Sequence, residues 1–271
     1  FVDIKSQNYD KPKKLPGNVN KSLQTMIASM LEKDPTKRKT TGWYIDTLKQ
    51  HFKDQIEHLD WSFEGIYLKR KLKDDEELYR CEKSLESDND SDCYLYKSQK
   101  YQDRAVVLKK FGNSMSGTND HYKRYISSLR QFDHPNIVKY LGSLEDGGYR
   151  YIVMESTEIN LGEMIKKGSR LEDVDIATIM QQLLSAVLAL HGKHIVHKDI
   201  KPSNILIDSN GVVKLGNFGL AKILESEEDK GTTRSFTVGY TAPESMTDEG
   251  YNTPFDIWSI GVVLYQMCTG E

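Results

Sequence analysis

The segment HIVHKDIKPSNILI, residues 194–207, carries the side chains of this chain that are best suited to chemistry. Asp199, Lys201 and Asn204 lie close together there, in a polar loop between a predicted helix and a short predicted strand. A carboxylate can orient a hydroxyl group, a fixed ammonium group can bind phosphate, and an amide oxygen can bind Mg²⁺. This combination predicts a site for phosphoryl transfer.

The elements that must position this loop follow from the periodicity of the apolar residues. Four β-like runs come first, with the amphipathic helix DHYKRYISSLRQF between the second and the third; the runs are CYLYKS, RAVVLKKF, IVKYLGSL and YRYIVMES. From Asp173 onward the period is helical, and the short strand candidates NILID and VVKLG precede the apolar helix DIWSIGVVLYQMCTG. This order predicts an α+β fold with a small β-rich lobe, a larger helical lobe and a ligand site between them.

Composition excludes several other classes of protein. Hydrophobic residues make up 38% of the 271 residues, charged residues 28%, and the net charge is −3, so we expect no nucleic-acid partner and no membrane partner. No run approaches the roughly 20 apolar residues of a membrane helix, and residues 1–14 lack a signal-peptide core. Cys81, Cys93 and Cys268 lack metal-ligand spacing and are expected to be reduced thiols of a cytoplasmic protein. Because the chain begins with Phe1, we expect an excerpt or a processed product.

The H-x-D-x-K-x-x-N pattern of the polar loop resembles the catalytic loop of eukaryotic Ser/Thr protein kinases. Other segments are also similar to that family: RAVVLKKF resembles its third strand, YIVMES the strand into its hinge, YTAPES its Ala-Pro-Glu signature, and DIWSIGVVLYQM its helix F. The resemblance covers at least Leu78–Glu271 and is closest to NIMA-related (NEK-like) or STE-type kinases. It implies a two-lobed kinase fold, with ATP and Mg²⁺ as the cofactors of an active enzyme.

The resemblance also implies roles for individual residues. Thr237 is the loop threonine that would bond to Asp199 and Lys201, and the implied catalytic residues are Asp199, Lys201, Asn204 and Thr237. The implied metal ligands are Asn204 and Asn217. The implied nucleotide contacts are Lys109, Val107, Met154, Glu155 and Thr157, with Met154 as the gatekeeper.

Asn217 departs from the family pattern, because the sequence Asn-Phe-Gly replaces Asp-Phe-Gly. The Asp of that motif supplies an anionic oxygen to Mg²⁺, which prefers hard, charged ligands, whereas Asn offers a neutral carbonyl. We therefore expect weaker metal bridging of the β- and γ-phosphates.

The loop that would cover the phosphates, LESDNDSDCY, is a second departure. Its three glycine positions fall on Glu86, Asp88 and Ser91, so backbone amides cannot approach a phosphate closely. Together with Asp90 and Asp92, the acids of this loop repel a triphosphate.

A third departure lies in the helix before HPNIVKYLGS. Tyr125 stands where the family has the Glu that pairs with Lys109, so Lys109 is expected to lose its orienting partner. Val107 adds bulk where the purine would lie, in place of the usual Ala. Lys198 replaces the common Arg of the catalytic loop and cannot offer a bidentate fork to a phosphorylated loop.

The N-terminal segment LPGNVNKSLQTMIASMLEKDPTKRKTT resembles the closing helices of a kinase large lobe. Its D-P-x-x-R pattern supplies Arg38, whose expected partner is Glu244. The predicted domains are closing helices in 1–52, a charged linker in 53–78, a small lobe in 79–157 and a large lobe in 158–271. Residues 1–52 could close a preceding unit of a tandem array, or dock in cis in a circular permutation. We expect these helices to cover helix F, with Arg38 within salt-bridge distance of Glu244.

These features favour a pseudokinase, a regulatory or scaffolding module that binds ATP weakly or not at all. Its expected partners are proteins, including a neighbouring kinase unit of the parent chain. The alternative is an active Ser/Thr protein kinase, which would use Asp199 to position the hydroxyl group of a protein substrate. The third hypothesis is a binding module for another small ligand.

Overall fold

The computed structural model describes residues 15, 19–56, 79–85, 91–98, 105–111, 118–146, 149–157, 159–166, 171–225, 231, 237, 239–246 and 250–270. The chain divides into two compact units, which we call the helical unit and the sheet unit. The helical unit comprises Phe1–His58, His134–Ile137 and Glu158–Glu271, and the sheet unit comprises Leu59–Asp133 and Val138–Thr157. A β-sheet in one unit and mostly helices in the other confirm the predicted two-lobed α+β fold class.

The elements agree closely with the periodicity of the sequence. The helices are α1 (Lys21–Met30), α2 (Thr41–Ile56), α3 (Thr118–Leu129), α4 (Leu161–Lys166), α5 (Asp173–His191) and α6 (Pro254–Thr269). The strands are β1 (Tyr79–Ser84), β2 (Ser91–Ser98), β3 (Ala105–Phe111), β4 (Tyr140–Asp146), β5 (Tyr149–Glu155), β6 (Ile159–Asn160), β7 (Ile195–Val196), β8 (Ile205–Ile207), β9 (Val213–Leu215) and β10 (Lys222–Ile223). The strand predicted from Ile137 begins at Tyr140, because Ile137 pairs with Leu215 instead.

The sheet unit contains five strands in the order β1-β2-β3-β5-β4, and each neighbouring pair is antiparallel. Val107 lies opposite Met154, and Lys109 lies opposite Ile152. Side chains two residues apart on a strand, and directly opposite on its neighbour, point to the same face. The side chains of these four residues therefore share one face of the sheet.

Helix α3 covers this face. The rings of Phe111 on β3 and Tyr125 on α3 make an edge contact, with 5.8 Å between their centroids. Tyr125, Leu129 and Ile152 are at most 1% exposed. The core of the sheet unit thus consists of one helix packed on one face of a sheet.

Helix α5 forms the core of the helical unit. Its first turn is stabilised by the Glu172 N–H, which donates to the Asp175 carboxylate at 3.2 Å. By length and composition alone this helix could cross a membrane, but much of it is buried inside the fold. Packing in a protein core accounts for its apolar composition.

Helix α1 packs against α6. The Asn20 side chain caps α1 by accepting the Ser22 N–H at 2.8 Å. The residues of its apolar face are buried, namely Leu23, Met26, Ile27 and Met30. A Cβ atom on Gly261 of α6 would lie 2.6 Å from the Met30 Cβ, so the helices cross closely because residue 261 has no side chain.

Arg38 joins the segment after α1 to the turn before α6. Its Nη1 and Nη2 donate to Glu244 Oε1 and Oε2 at 2.6 and 2.9 Å. Nη1 also donates to the Pro254 carbonyl at 2.8 Å, and the guanidinium carbon lies 5.1 Å from the ring centroid of Trp258. The predicted contact between Arg38 and Glu244 is confirmed. The domain boundaries stay predictions, and residues 57–78 of the predicted linker lie outside the described residues.

Candidate functional site

The candidate catalytic loop follows β7 and is held by a buried carboxylate on α6. Asp256 Oδ2 accepts the His197 N–H at 2.9 Å, and Oδ1 accepts the Lys198 N–H at 3.0 Å. The ring of His191, at the end of α5, bonds to Oδ2 at 2.9 Å. Burial alone would raise the pKa of Asp256, but the hydrogen bonds from the His191 ring and from the His197 backbone N–H hold it below its ordinary value. The loop backbone is therefore fixed by an ionised carboxylate.

His197 connects this loop to the Asn-Phe-Gly segment. Its Nε2 bonds to the Gly216 carbonyl at 2.9 Å, and its Nδ1 accepts the Asp199 N–H at 3.3 Å. The ring makes an edge contact with Phe218 at 5.0 Å between centroids. Burial is the main cause that lowers the pKa of His197, so the ring is neutral and carries its proton on Nε2.

The structure brings the four predicted catalytic residues together around the carboxylate of Asp199, which is 4% exposed. Oδ1 accepts the Thr237 hydroxyl at 2.5 Å and lies 3.2 Å from Lys201 Nζ. Lys201 Nζ also donates to Thr237 Oγ1 at 3.1 Å. Asn204 Nδ2 donates to Asp199 Oδ2 and to the Asp199 carbonyl, both at 2.7 Å. The roles of these residues stay predictions, but their geometry fits one hydrogen-bonded cluster.

Asn217, the residue that departs from the family motif, reaches the same cluster. Its backbone is left-handed, with φ at 58°, a conformation that Asn tolerates better than most residues. Its Nδ2 donates to Asp199 Oδ2 at 3.2 Å and approaches Asn204 Oδ1 at 3.4 Å. The two predicted metal ligands, Asn204 and Asn217, are therefore neighbours.

This donor set does not fit Mg²⁺ as it stands. A cation would require amide oxygens directed at a shared point, whereas the Asn217 nitrogen is directed at the Asp199 and Asn204 oxygens. Among the described residues, no group of three His, Cys, Asp or Glu side chains could hold a metal ion.

Lys109 is almost fully buried in the sheet unit, at 2% exposure. Its Nζ lies 5.0 Å from the ring centroid of Tyr125, within the range of a cation–π interaction. Tyr125 therefore contacts the ammonium group through its ring, and the loss of the family's ion-pair partner of Lys109 stays a prediction.

The other predicted nucleotide contacts also belong to the sheet unit. Met154, opposite Val107, is 5% exposed, and its Sδ accepts the Tyr125 hydroxyl at 3.4 Å. The Glu155 carboxylate accepts the Lys139 N–H at 2.6 Å, so this side chain is engaged within the unit. Thr157 is half-buried. Contact of these residues with a nucleotide stays a prediction.

The predicted acidic loop lies mostly outside the described residues. Glu86, Asp88 and Asp90 are among the residues not described, whereas Ser91 begins β2 and Asp92 is exposed opposite Lys110. Repulsion of a triphosphate by this loop stays a prediction.

Three contacts near the candidate catalytic loop escaped sequence reasoning. Lys198, 4% exposed, places its Nζ 4.9 Å from the ring centroid of Tyr251. Tyr251 also exchanges two backbone hydrogen bonds with Gly231, at 2.9 and 3.0 Å. In addition, His191 Nδ1 lies 3.3 Å from the Thr41 hydroxyl of α2, which links the N-terminal helices to Asp256. A histidine at the end of a largely apolar helix was the available signal for His191.

Comparison with known proteins agrees with this geometry. The sequence model of the protein kinase domain matches residues 83–271. The chain is 37% identical over 173 residues to serine/threonine-protein kinase Nek1 of Mus musculus and 39% identical over 155 residues to serine/threonine-protein kinase Nek2 of the same organism. It is 39% identical over 151 residues to mitogen-activated protein kinase kinase kinase 1 of Arabidopsis thaliana.

These alignments cover 61%, 53% and 54% of this chain, and 14%, 35% and 24% of the respective relatives. The chain therefore spans well under half of the length of each of these proteins. Because the family match covers more than half of the chain, the chain belongs to the protein kinase family. The relatives fit the NIMA-related or STE-type resemblance drawn from the sequence.

Proposed function

We propose that this protein kinase domain is a pseudokinase, a regulatory or scaffolding module that binds Mg·ATP weakly or not at all. The observation that carries the proposal is the position of the Asn217 amide, which donates towards both Asp199 and Asn204. These are the oxygens that a metal ion would otherwise need.

The electrostatic reason is that the cluster carries one negative charge fewer than it would with an aspartate at position 217. With an aspartate at position 217, two carboxylates would face each other, and like charges about 4 Å apart repel by about 4 kcal/mol at an effective dielectric of 20. A bound cation relieves that repulsion. With Asn217, the cluster holds one carboxylate that accepts hydrogen bonds from Thr237, Asn204 and Asn217. A bound cation would therefore stabilise this cluster less than it would stabilise two facing carboxylates.

An active Ser/Thr protein kinase remains the second candidate, because Asp199, Lys201 and Thr237 are already assembled. In that case Asp199 would orient the hydroxyl of a substrate Ser or Thr and accept its proton, while the Lys201 ammonium would stabilise charge on the transferred phosphate. Bound Mg²⁺ would supply charge neutralisation of the phosphates. Such an enzyme would need the Asn217 amide to rotate away from its present partners.

The partners that we propose are proteins, which a module with little phosphate transfer would bind through its surface. A neighbouring kinase unit of a longer parent chain is one such partner. We also propose a cytoplasmic location, for which the support is the odd number of cysteines in the sequence and their lack of metal-ligand spacing.

Thermal unfolding of the full chain tests the proposal. A ligand that binds only the folded state raises its stability by about 2.7 kcal/mol at a concentration of 100 times its dissociation constant. We expect no shift with millimolar Mg·ATP, and no additional shift relative to ATP with a chelator. A clear magnesium-dependent shift would contradict the proposal.

A transfer assay with radiolabelled ATP and a generic Ser/Thr protein substrate separates the two candidates. Transfer that disappears in Asp199→Asn would establish the active kinase. We expect no transfer from the wild-type chain, and none from Asn217→Asp, because Tyr125 and the acidic loop also oppose nucleotide binding. Full activity of Asn217→Asp would refute the view that several departures act together.

A further inference from the structure

We infer that Tyr125 is a positioning residue that locks α3 onto the sheet, through Lys109 on β3 and Met154 on β5. The inference goes beyond the proposed function, since it concerns the internal organisation of the sheet unit whether or not a nucleotide binds. In the family pattern, the helix at this position is joined to the sheet by a Glu–Lys ion pair. Here an aromatic ring makes the connection by different forces.

The contact with Lys109 is the first part of the lock. The Lys109 Nζ lies 5.0 Å from the ring centroid, and Lys109 and Tyr125 are 2% and 1% exposed. An ammonium group away from water needs compensation, and the negative face of an aromatic ring supplies more of it when the contact is desolvated. The ring therefore stabilises the buried position of Lys109.

The contact with Met154 is the second part. The Tyr125 hydroxyl donates to the Met154 Sδ at 3.4 Å, so one side chain spans two neighbouring strands. The strand register places Lys109 opposite Ile152 and Val107 opposite Met154, so both contacts lie on one sheet face. The edge contact with Phe111, at 5.8 Å between centroids, adds a third point on the same face.

A consequence distinguishes this lock from an ion pair. An ion pair holds α3 to β3 by opposite charges, whereas Tyr125 fixes α3 to β3 and β5 by burial, ring polarisation and one hydrogen bond. These contacts of Tyr125 require neither a nucleotide nor a carboxylate at position 125. The sheet unit should present one constant surface to a protein partner.

Chemical reactivity of Lys109 tests the contact with the ring. We would treat the folded full chain with an amine-directed acylating reagent and measure labelling of Lys109 by fragment mass spectrometry, with the adjacent Lys110 as internal reference. Tyr125→Leu should raise the labelling of Lys109 about tenfold or more, because a buried cation–π contact contributes on the order of a factor of ten or above. Tyr125→Phe, which keeps the ring, should leave it within about twofold.

Tyr122→Leu is the matched control. Tyr122 lies one turn earlier on α3, and its ring contacts Phe111 and Arg150. This variant should leave the labelling of Lys109 within about twofold of wild type. If Tyr125→Leu and Tyr122→Leu give equal labelling of Lys109, Tyr125 does not position this lysine and the inference is overturned.

A double-mutant cycle tests the contact of Tyr125 with Met154. It does not use Tyr125→Leu, so it tests the inference even if that variant fails to fold. Tyr125→Phe and Met154→Leu should each speed amide exchange in the last turn of α3, residues 126–129, by about three- to tenfold, as expected for one lost hydrogen bond. The double variant should exchange no faster than either single variant, because both remove the same interaction. If the accelerations of amide exchange in the two single variants multiply in the double variant, the inference is overturned. Nucleotide binding enters neither readout, so failure here is distinguishable from failure of the proposed function.

Discussion

Replacing Arg38 by Met should severely weaken the attachment of the N-terminal helices. The Arg38 side chain has 0% exposure and its partner Glu244 has 7%, and their two hydrogen bonds are 2.6 and 2.9 Å long. Removing one partner of a buried pair leaves an uncompensated charge and costs about 3–5 kcal/mol. The Pro254 carbonyl, which accepts a third hydrogen bond, loses that donor as well.

Urea unfolding of the full chain, followed by circular dichroism, measures this loss. A domain has about 5–15 kcal/mol of total stability, so the expected loss should shift the midpoint strongly. Lys37→Met is the matched control, because Lys37 forms an exposed pair with Asp34 and its side chain is 70% exposed. That variant should leave the midpoint unchanged.

The double variant Arg38→Met with Glu244→Leu makes the test sharper. Replacing both members of a buried pair with apolar residues is often neutral or stabilising, because no charge remains buried without a partner. We therefore expect the double variant to be more stable than Arg38→Met alone. A loss below about 1 kcal/mol in Arg38→Met, or a double variant no better than the single one, would refute the assignment of an energetically important buried pair.

Three further predictions concern stability. Gly261→Ala should lower the free energy of unfolding by about 1–3 kcal/mol, because the new Cβ would lie 2.6 Å from the Met30 Cβ. Gly42→Ala is the control and should cause no loss, because the nearest atom is 4.0 Å away. Equal losses in the two variants would contradict the close crossing of α1 and α6. Burial lowers the pKa of His197 below its ordinary value of 6.5, so the unfolded state binds a proton more readily than the folded state. The urea midpoint should therefore be constant above about pH 7 and fall as the pH drops below about 6.5. A midpoint that stays constant down to pH 5 would contradict the neutral, buried state of His197. Ser128→Ala should be neutral or stabilising by up to about 1 kcal/mol, because its buried hydroxyl has no hydrogen-bond partner among the described residues, and a loss above about 1 kcal/mol would show that a partner exists.

The parts of the fold that the sequence predicted are those governed by local pattern. The closing helices of the N-terminal segment and the candidate catalytic loop around Asp199 could be identified because neighbouring residues determine them. The contact between Arg38 and Glu244, separated by 206 positions, could be predicted because the resemblance supplied both partners.

The remaining contacts depend on how distant segments meet. The ring of Tyr125 faces Lys109 because β3, β5 and α3 adopt one particular packing, which a single position cannot encode. The contact of Lys198 with Tyr251 depends in the same way on a distant residue. The direction of the Asn217 amide is determined by the acceptors around it, so residue type alone left its donor role unpredicted.

The order of the closing helices along the chain has a consequence for biosynthesis. Arg38 leaves the ribosome 206 residues before its partner Glu244, and the surface of α6 that receives α1 is made later still. At about 5–20 residues per second, the 224 positions from Met30 to Pro254 take about 11–45 seconds to synthesise, and α1 lacks its binding surface on α6 for that time. In a chain that docks these helices in cis, the helical unit can reach its final packing only after α6 has emerged.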